Sequence, residues 1–240
     1  MKESDFRGIK LMKHYLSHGG GVNSTALMLL LEREGGEFEG VFVDHGGDYP
    51  ETYDYIRYLQ EHGHKIIILK PNVNGCPTIE DYCIKYKILP SIWVRWCTEK
   101  FKITPLTKYF EKPCVCFVGI DAGERKRVIK AYRQRAGKGV KIKYPLLERG
   151  ITREECKRII TDAGLKVPRR SGCWLCPYMN HKEVRKLYVK YPDFYARRKH
   201  LEEINPRGYR FDRNGISMSS IVGEDTRRLD EFCKTGRAKL

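Results

Sequence analysis

The sequence predicts an α/β fold: a doubly wound, mainly parallel sheet with a small helical C-terminal appendage. Three observations carry that expectation. Strand-like and helix-like patterns alternate through the first 70 residues, in the βαβαβ order that a parallel sheet needs. A later run, CVCFVGI (114–120), is apolar throughout, as a strand covered on both faces should be. The first strand ends in GGGVNST (19–25), three consecutive glycines that open directly into a leucine-rich helix.

Taken in order, KHYLS (13–17) reads as the first strand and residues 24–33 as a helix. EGVFVD (39–44) is a second strand, and a helix opens near Pro50 and runs to about Glu61. HKIIILK (64–70) is a third strand. Residues 78–88 and 98–110 read as helical, the latter around Pro105. After CVCFVGI, the basic stretch GERKRVIKAYRQRAGKGVKIK (123–143) has little apolar periodicity and is expected to be a surface loop. Residues 152–163 read as a helix with a capping box, Thr152 as N-cap and Glu155 three residues on. Two further helices are expected at 181–190 and 192–204, and the tail from Pro206 is basic and weakly patterned. The division this suggests is an α/β domain over residues 1–165 and a basic helical region over 166–240.

The chain has 240 residues with 41% apolar and 32% charged side chains, a soluble and globular composition. No apolar run approaches the roughly 18–20 residues that span a bilayer, and the opening MKESDFRGIK is too polar for a signal peptide. A cytoplasmic location and no membrane partner are therefore expected. Nine cysteines without a secretory leader point to reduced thiols: core residues, metal ligands or catalysts. The net charge of +16 is unevenly placed. Residues 1–90 carry 10 Lys/Arg against 13 Asp/Glu, and the remaining 150 carry 36 against 17. That asymmetry suggests a polyanionic partner for the later two thirds.

A strand that ends in glycines and turns straight into a helix builds an anion site. The glycines let backbone N–H groups approach a ligand, and the helix N-terminus adds partial positive charge. The bend lacks the lysine of a P-loop and the G-x-G-x-x-G dinucleotide spacing, so its pattern alone leaves a phosphate site and a merely tight turn both open. Asp44, at the carboxyl end of the second strand, lies where open α/β sheets bind ligands; a helix-capping role is the rival. Cys173 and Cys176 form C-x-x-C in SGCWLCPY, a spacing that brings two sulfurs to one side of a turn. A redox dithiol is the competing interpretation, but a basic loop rather than a strand precedes the motif. Cys114 and Cys116 alternate on the apolar strand and are expected in the core. Cys76, Cys83 and Cys156 suggest no role.

GGGVNST resembles the PP-loop, usually S-G-G-x-D-S, of the ATP pyrophosphatases and phosphoadenylyl-sulfate (PAPS) reductases, with Gly19 in place of the serine and Asn23 in place of the aspartate. FVDHGGDYPETYDYI, RWCTEKFKITPL, VGIDAGERKR and YPLLERGITREE resemble further segments of the same superfamily in the same order, and SGCWLCPY resembles a feature of its small phage and archaeal members. The resemblance covers roughly residues 12–204. It implies a five-stranded sheet of adenine nucleotide alpha hydrolase type (the HUP class). It places a nucleotide on Gly19, Gly20, Gly21, Asn23, Ser24, Thr25, Asp44 and Gly119. It implies catalytic roles for Asn23 and Ser24; Lys100, Lys102, Arg125 and Arg127 could neutralise a departing pyrophosphate, and Arg127 matches the family's arginine. It also adds Cys97 to Cys173 and Cys176 as ligands of a [4Fe–4S] cluster with one iron left open, as in iron–sulfur tRNA thiolases; zinc with a fourth ligand and no metal stay as alternatives.

The function this implies is ATP-dependent adenylation and sulfur transfer on nucleic acid, tRNA or DNA, with Mg²⁺, and a sulfur donor such as a cysteine desulfurase or sulfide; a homo-oligomer is compatible with it. Residues 166–200 hold ten Lys/Arg, two acidic residues and six aromatics, which suits a nucleic-acid surface, although the spacing Leu187–Tyr191–Phe194–Tyr195 is better explained as core. The alternative is an adenylyl-sulfate or PAPS reductase. Against it, the late thiol Cys233 stands in EFCKTG, without the glycine and histidine that follow the reductases' nucleophile. A binding subunit with little turnover is a third possibility, raised by Asn23.

Overall fold

The computed structural model describes residues 12–125 and 139–223. Arg127 and Cys233 lie outside the described residues, as does most of the basic stretch after Arg125. The described residues divide into two compact units. One holds those up to Asp44, Pro50–Lys70 and Ile103–Ser171; the other holds His45–Tyr49, Pro71–Lys102 and those from Gly172 on.

The first unit is built on five parallel strands: β1 (Lys13–Ser17), β2 (Glu39–Val43), β3 (Ile66–Leu69), β4 (Cys114–Val118) and β5 (Val140–Lys143), in the order β3-β2-β1-β4-β5. Helices α1 (Val22–Arg33) and α2 (Pro50–Glu61) make the two crossovers that carry the chain outward from β1 to β3. The chain then returns to the other side of β1 as β4. The strand order therefore reverses between β1 and β4, and the carboxyl ends of those two strands flank the crevice where such sheets bind ligands.

Strand alternation sorts the core into two faces. Leu16 and Phe42 point to one, where they pack with Ala26, Leu27 and Leu30 of α1 and Ile56 and Leu59 of α2. Tyr15, Val41, Val43, Cys114 and Cys116 point to the other, with Leu106 and Phe110. Cys114 and Cys116 are thus small core side chains on one face, as their alternation predicts.

The sequence leaves β5 inside a surface loop; the structure corrects this. VKIK pairs in parallel register with β4, Cys114 opposite Val140 and Cys116 opposite Ile142. Its alternation is two-fold, with Val140 buried and Lys141 and Lys143 exposed, but four residues beside so many lysines and arginines are too few for that period to stand out. Such an edge strand, with charge facing solvent, is a common way to end a sheet.

In the second unit, α3 (Ile79–Tyr86) opens with a capping box between Thr78 and Asp81. A single turn, α4 (Trp96–Thr98), follows in the same unit, and a π-helical turn at Glu99–Ile103 leads out of it; the helix expected around Pro105 is α5 (Thr104–Tyr109), in the first unit. The remaining first-unit helices are α6 (Pro145–Glu148) and α7 (Arg153–Asp162), the latter carrying the predicted Thr152–Glu155 box. Helices α8 (His181–Lys190) and α9 (Pro192–Glu203) follow in the second unit. Its core gathers Phe101, Trp174, Leu175, Val184, Leu187, Leu201 and Phe211. Tyr195 is buried and Tyr191 and Phe194 pack against that core, as their helical spacing predicts. No helix among the described residues is long and apolar enough to cross a membrane.

Candidate functional site

The glycine bend follows β1 without an intervening loop. Gly20 adopts φ +65°, a left-handed conformation that side chains rarely take, and a Cβ there would lie 2.5 Å from the Thr52 methyl. A Cβ on Gly21 would lie 2.7 Å from Ser171 Oγ, whereas one on Gly19 would meet nothing within 4 Å. Conformation therefore requires a glycine at Gly20, Gly21 packs closely against the Ser171 side chain, and Gly19 faces open space.

The bend is held by its own polar groups. Ser24 Oγ donates to the Gly21 carbonyl at 3.0 Å and accepts from the N–H groups of Gly19 and Gly21, each at 3.3 Å. The Gly20 N–H donates to His18 Nδ1 at 3.2 Å. That bond fixes the tautomer of the buried, neutral ring: Nδ1 accepts, so the proton is on Nε2, which faces Thr25 Oγ1 at 3.4 Å. The Thr25 hydroxyl in turn donates to the Gly21 carbonyl at 3.0 Å. Burial drives the His18 pKa down to about 3, so the ring stays an acceptor across the physiological range.

Asn23, at the first turn of α1, donates from its amide to Asp121 Oδ2 at 2.9 Å and to Glu124 Oε2 at 3.3 Å. Its own Oδ1 is buried without a hydrogen-bond partner. Asp121 also caps the short turn Ala122–Glu124 through the Gly123 N–H. Gly119, after β4, is where the helix start meets the sheet: a Cβ there would stand 2.8 Å from Asn23 C and Ser24 N. Asp44 receives the hydroxyl of Tyr53 at 2.9 Å. The PETY segment thus has two local tasks, Thr52 beneath the bend and Tyr53 on Asp44. Gly19–Thr25, Asn23, Asp44 and Gly119 all belong to the first unit.

Cys97, Cys173, Cys176 and Lys100 belong to the second unit. The segment His45–Tyr49 pairs with Gly172–Trp174: the Tyr49 N–H donates to the Gly172 carbonyl and the Trp174 N–H to the Gly47 carbonyl. Cys173 Sγ lies over Gly47, where a Cβ would approach it to 2.8 Å. The C-x-x-C turn closes with the Cys176 N–H on the Cys173 carbonyl at 3.0 Å, and the Leu175 N–H favours the Cys173 sulfur in its charged form. Burial, with the Asp48 carboxylate, pushes the Cys173 thiol up to about 12, while the Lys102 ammonium opposes this. Cys97 is also raised, mainly by burial, and the Cys176 thiol adds to the rise. Cys97, Cys173 and Cys176 therefore share one electrostatic neighbourhood. Among the described residues no three or more His, Cys, Asp or Glu are grouped so as to hold a metal ion. Lys100 is exposed, its ammonium 5.8 Å from the centre of the Tyr82 ring.

Four residues in the two units carry no signal of their role in the sequence pattern. Arg198 is buried, donates to the carbonyls of Trp174 at 2.6 Å and Cys176 at 3.2 Å, and lies 3.9 Å over the Phe211 ring. Burial lowers its pKa to about 10, against the pull of Cys176 and Cys173, so it remains a cation behind the C-x-x-C turn. His45 is wholly buried and held neutral by burial; its Nδ1 accepts from the Gly47 N–H, which leaves a proton, not a lone pair, on Nε2. Asp48 Oδ2 is 3.3 Å from that nitrogen but off its hydrogen-bonding axis. In the first unit, His18 and Asp121 are the missed residues, though each adjoins a motif residue: one precedes the glycines and one lies in GIDAGE.

A family model, the phosphoadenosine phosphosulfate reductase domain, matches residues 13–167. The chain belongs to that family. Among curated proteins, this PAPS reductase domain chain is 27% identical over 194 residues to the uncharacterized protein MJ0066 of Methanocaldococcus jannaschii, and 24% identical over 195 residues to MJ0973 of the same organism. Each alignment covers 75% of this chain but only 39% and 45% of those relatives, so the chain spans less than half their length. Among solved structures, the phosphoadenylyl-sulfate reductase of Candida auris, crystallised as a phosphate complex, is 15% identical. It aligns over 71% of this chain and 85% of that one, with a TM-score of 0.49. Family membership supports a nucleotide-binding, sulfur-related domain.

Proposed function

We propose that this PAPS reductase-family chain adenylates an oxygen of a nucleic acid, tRNA or DNA, with ATP and Mg²⁺, and that a reduced sulfur species then displaces AMP. The observation that carries this most is the Gly19–Thr25 bend at the point of strand-order reversal. There, N–H groups of Gly19, Gly20 and Gly21 are gathered by Ser24 and His18, groups that phosphate oxygens can replace as acceptors. An acceptor oxygen forms a bond to the α-phosphorus as the bond to pyrophosphate breaks; sulfide then attacks the atom that carried that oxygen, carbon in a base or phosphorus in a linkage, and AMP leaves with the oxygen. At the departing pyrophosphate, a role for Arg127 rests on the resemblance and one for Lys100 on its charge.

Cys97, Cys173 and Cys176 are the residues that would hold a [4Fe–4S] cluster. When bound by three thiolates, such a cluster has an iron free to carry sulfide. The choice of a cluster over zinc rests on the resemblance; among the described residues no three or more His, Cys, Asp or Glu are grouped so as to hold a metal ion of either kind. Cys97 and Cys173 are each coupled to Cys176, and the Arg198 cation behind the turn would offset negative charge on a bound cluster. A nucleic-acid acceptor is supported by charge, since the described part of the second unit carries 15 Lys/Arg against 9 Asp/Glu.

The test is incubation of the iron–sulfide-reconstituted protein with ATP, Mg²⁺, sulfide and tRNA or DNA. AMP and pyrophosphate are the expected products, with sulfur replacing oxygen in a digested nucleoside or linkage. ADP as the main product overturns the adenylation. The second reading, reduction of adenylyl sulfate or PAPS, is favoured by the family match itself; it predicts sulfite release from either compound with a dithiol reductant and no need for nucleic acid.

A further inference from the structure

The loop before Cys97 presents an aromatic ring to solvent on a backbone that is firmly held. Trp93 is 85% exposed and Val94 65%. Yet its backbone is hydrogen-bonded at several points: the Trp93 N–H donates to Ser91 Oγ at 3.1 Å, the Trp96 N–H to the Val94 carbonyl at 2.7 Å, and the Trp96 indole to the Leu89 carbonyl at 3.0 Å. From the other cysteine segment, the hydroxyl of Tyr178 donates to the Ile92 carbonyl at 3.2 Å. Tyr178 is itself 59% exposed, and the Arg95 guanidinium lies 5.8 Å from its ring centre. Trp96, three residues on, turns inward onto Tyr82 and Phe101, so the packing need of this segment is met without Trp93.

A loop that exposes a tryptophan, with the carbonyl of the preceding Ile92 bonded by the tyrosine of a tyrosine–arginine pair, is a surface suited to flat rings linked to anions. We propose that Trp93, Tyr178 and Arg95 form a stacking platform for an unpaired base of a single-stranded nucleic-acid segment. Trp93 and Tyr178 offer the π-faces, and Arg95 offers a cation to the adjoining phosphate. The charge of the unit argues for this occupant over a membrane or an apolar protein face. So does the covalent arrangement: Trp93 lies four residues before Cys97, and Tyr178 two residues after Cys176. The base is thereby received by the two segments that carry the proposed cluster ligands. The inference rests on nucleic acid being the acceptor, and it locates where the acceptor is gripped.

The experiment measures binding of short single-stranded RNA and DNA oligonucleotides to the full chain, by fluorescence anisotropy across a salt series. Trp93→Ala and Tyr178→Ala are each expected to weaken binding about tenfold, about 1.4 kcal/mol, in the range of one base stacked on one aromatic ring. Neither changes the slope of affinity against salt, because neither removes a charge. Trp93→Phe retains most of the affinity, and Arg95→Gln lowers the slope by about one ion. Wild-type protein that binds no nucleic acid overturns the acceptor assignment, and the platform with it. Wild-type binding that is unchanged in Trp93→Ala overturns the platform alone. A fall in sedimentation mass in Trp93→Ala, with nucleic-acid binding intact, assigns the patch to self-association and equally overturns the proposal.

Discussion

The side-chain amide of Asn23 donates to the buried carboxylate of Asp121 at 2.9 Å. The same amide reaches Glu124 at 3.3 Å. One neutral donor therefore holds two carboxylates against the first turn of α1. The resemblance puts an aspartate at this position of the loop; here that residue would set a third carboxylate beside the other two. Asparagine is consistent with a bend that is locked to the turn after β4 by hydrogen bonds rather than by charge.

Asn23→Asp is accordingly expected to destabilise the fold by about 1–3 kcal/mol at neutral pH, the cost of replacing a buried hydrogen bond with like charges. Asn23→Asp combined with Asp121→Asn restores most of the loss, because donor and acceptor are exchanged. Urea titrations of the two single variants and the double variant measure it; additive losses would show that the pair is not coupled.

The glycines separate by what surrounds them. Gly119→Ala pushes a methyl into the backbone at Asn23 and Ser24 and should cost about 1–3 kcal/mol, the usual range for overpacking. Gly19→Ala meets nothing within 4 Å and should leave the thermal midpoint nearly unchanged. If Gly19 is kept bare for close approach of a phosphate, the same substitution weakens ATP binding, which calorimetry would detect. Loss of stability without loss of binding is the opposite result.

His18 ties the bend to pH. Its folded pKa of about 3 lies below the unfolded value near 6.5, so the unfolded chain binds more protons between those limits. Stability from the neutral ring is complete above pH 6.5 and falls as pH drops toward 3, by about 1.4 kcal/mol per pH unit from this group. His18→Asn, which keeps an acceptor for the Gly20 N–H, should flatten the loss of stability between pH 7 and pH 5 by close to one proton. An unaltered slope in denaturant titrations across that range would show that His18 is not the titrating group.

The thiols divide by location. Cys97→Ser, Cys173→Ser and Cys176→Ser should each abolish most visible absorbance and iron content after anaerobic reconstitution. Cys114→Ser and Cys116→Ser, on a core face of the sheet, should retain both. Retention of iron in all three of the first group removes the cluster assignment, and zinc analysis of the same samples separates the zinc and metal-free alternatives.

Local pattern determined much of this protein. The ends of β1, α2 and α8, the Thr152–Glu155 box and the core role of Cys114 and Cys116 follow from periodicity and capping chemistry that a few adjacent residues contain. The glycine bend was equally legible, since only a sharp strand-to-helix turn explains three glycines in succession there. Strand β5 was not, because four residues among lysines carry too little pattern until β4 supplies a partner. The interruption at Glu99–Ile103 was hidden for a similar reason: helical periodicity does not distinguish an α-turn from a π-turn. Only the tertiary structure decided which distant groups meet. Asn23 finds Asp121 across 98 residues, Arg198 finds the Trp174 carbonyl across 24, and Gly172–Trp174 pairs with His45–Tyr49. Those contacts depend on chain crossovers and on the burial of groups that must then satisfy one another. Neither quantity is stored in any short stretch of sequence.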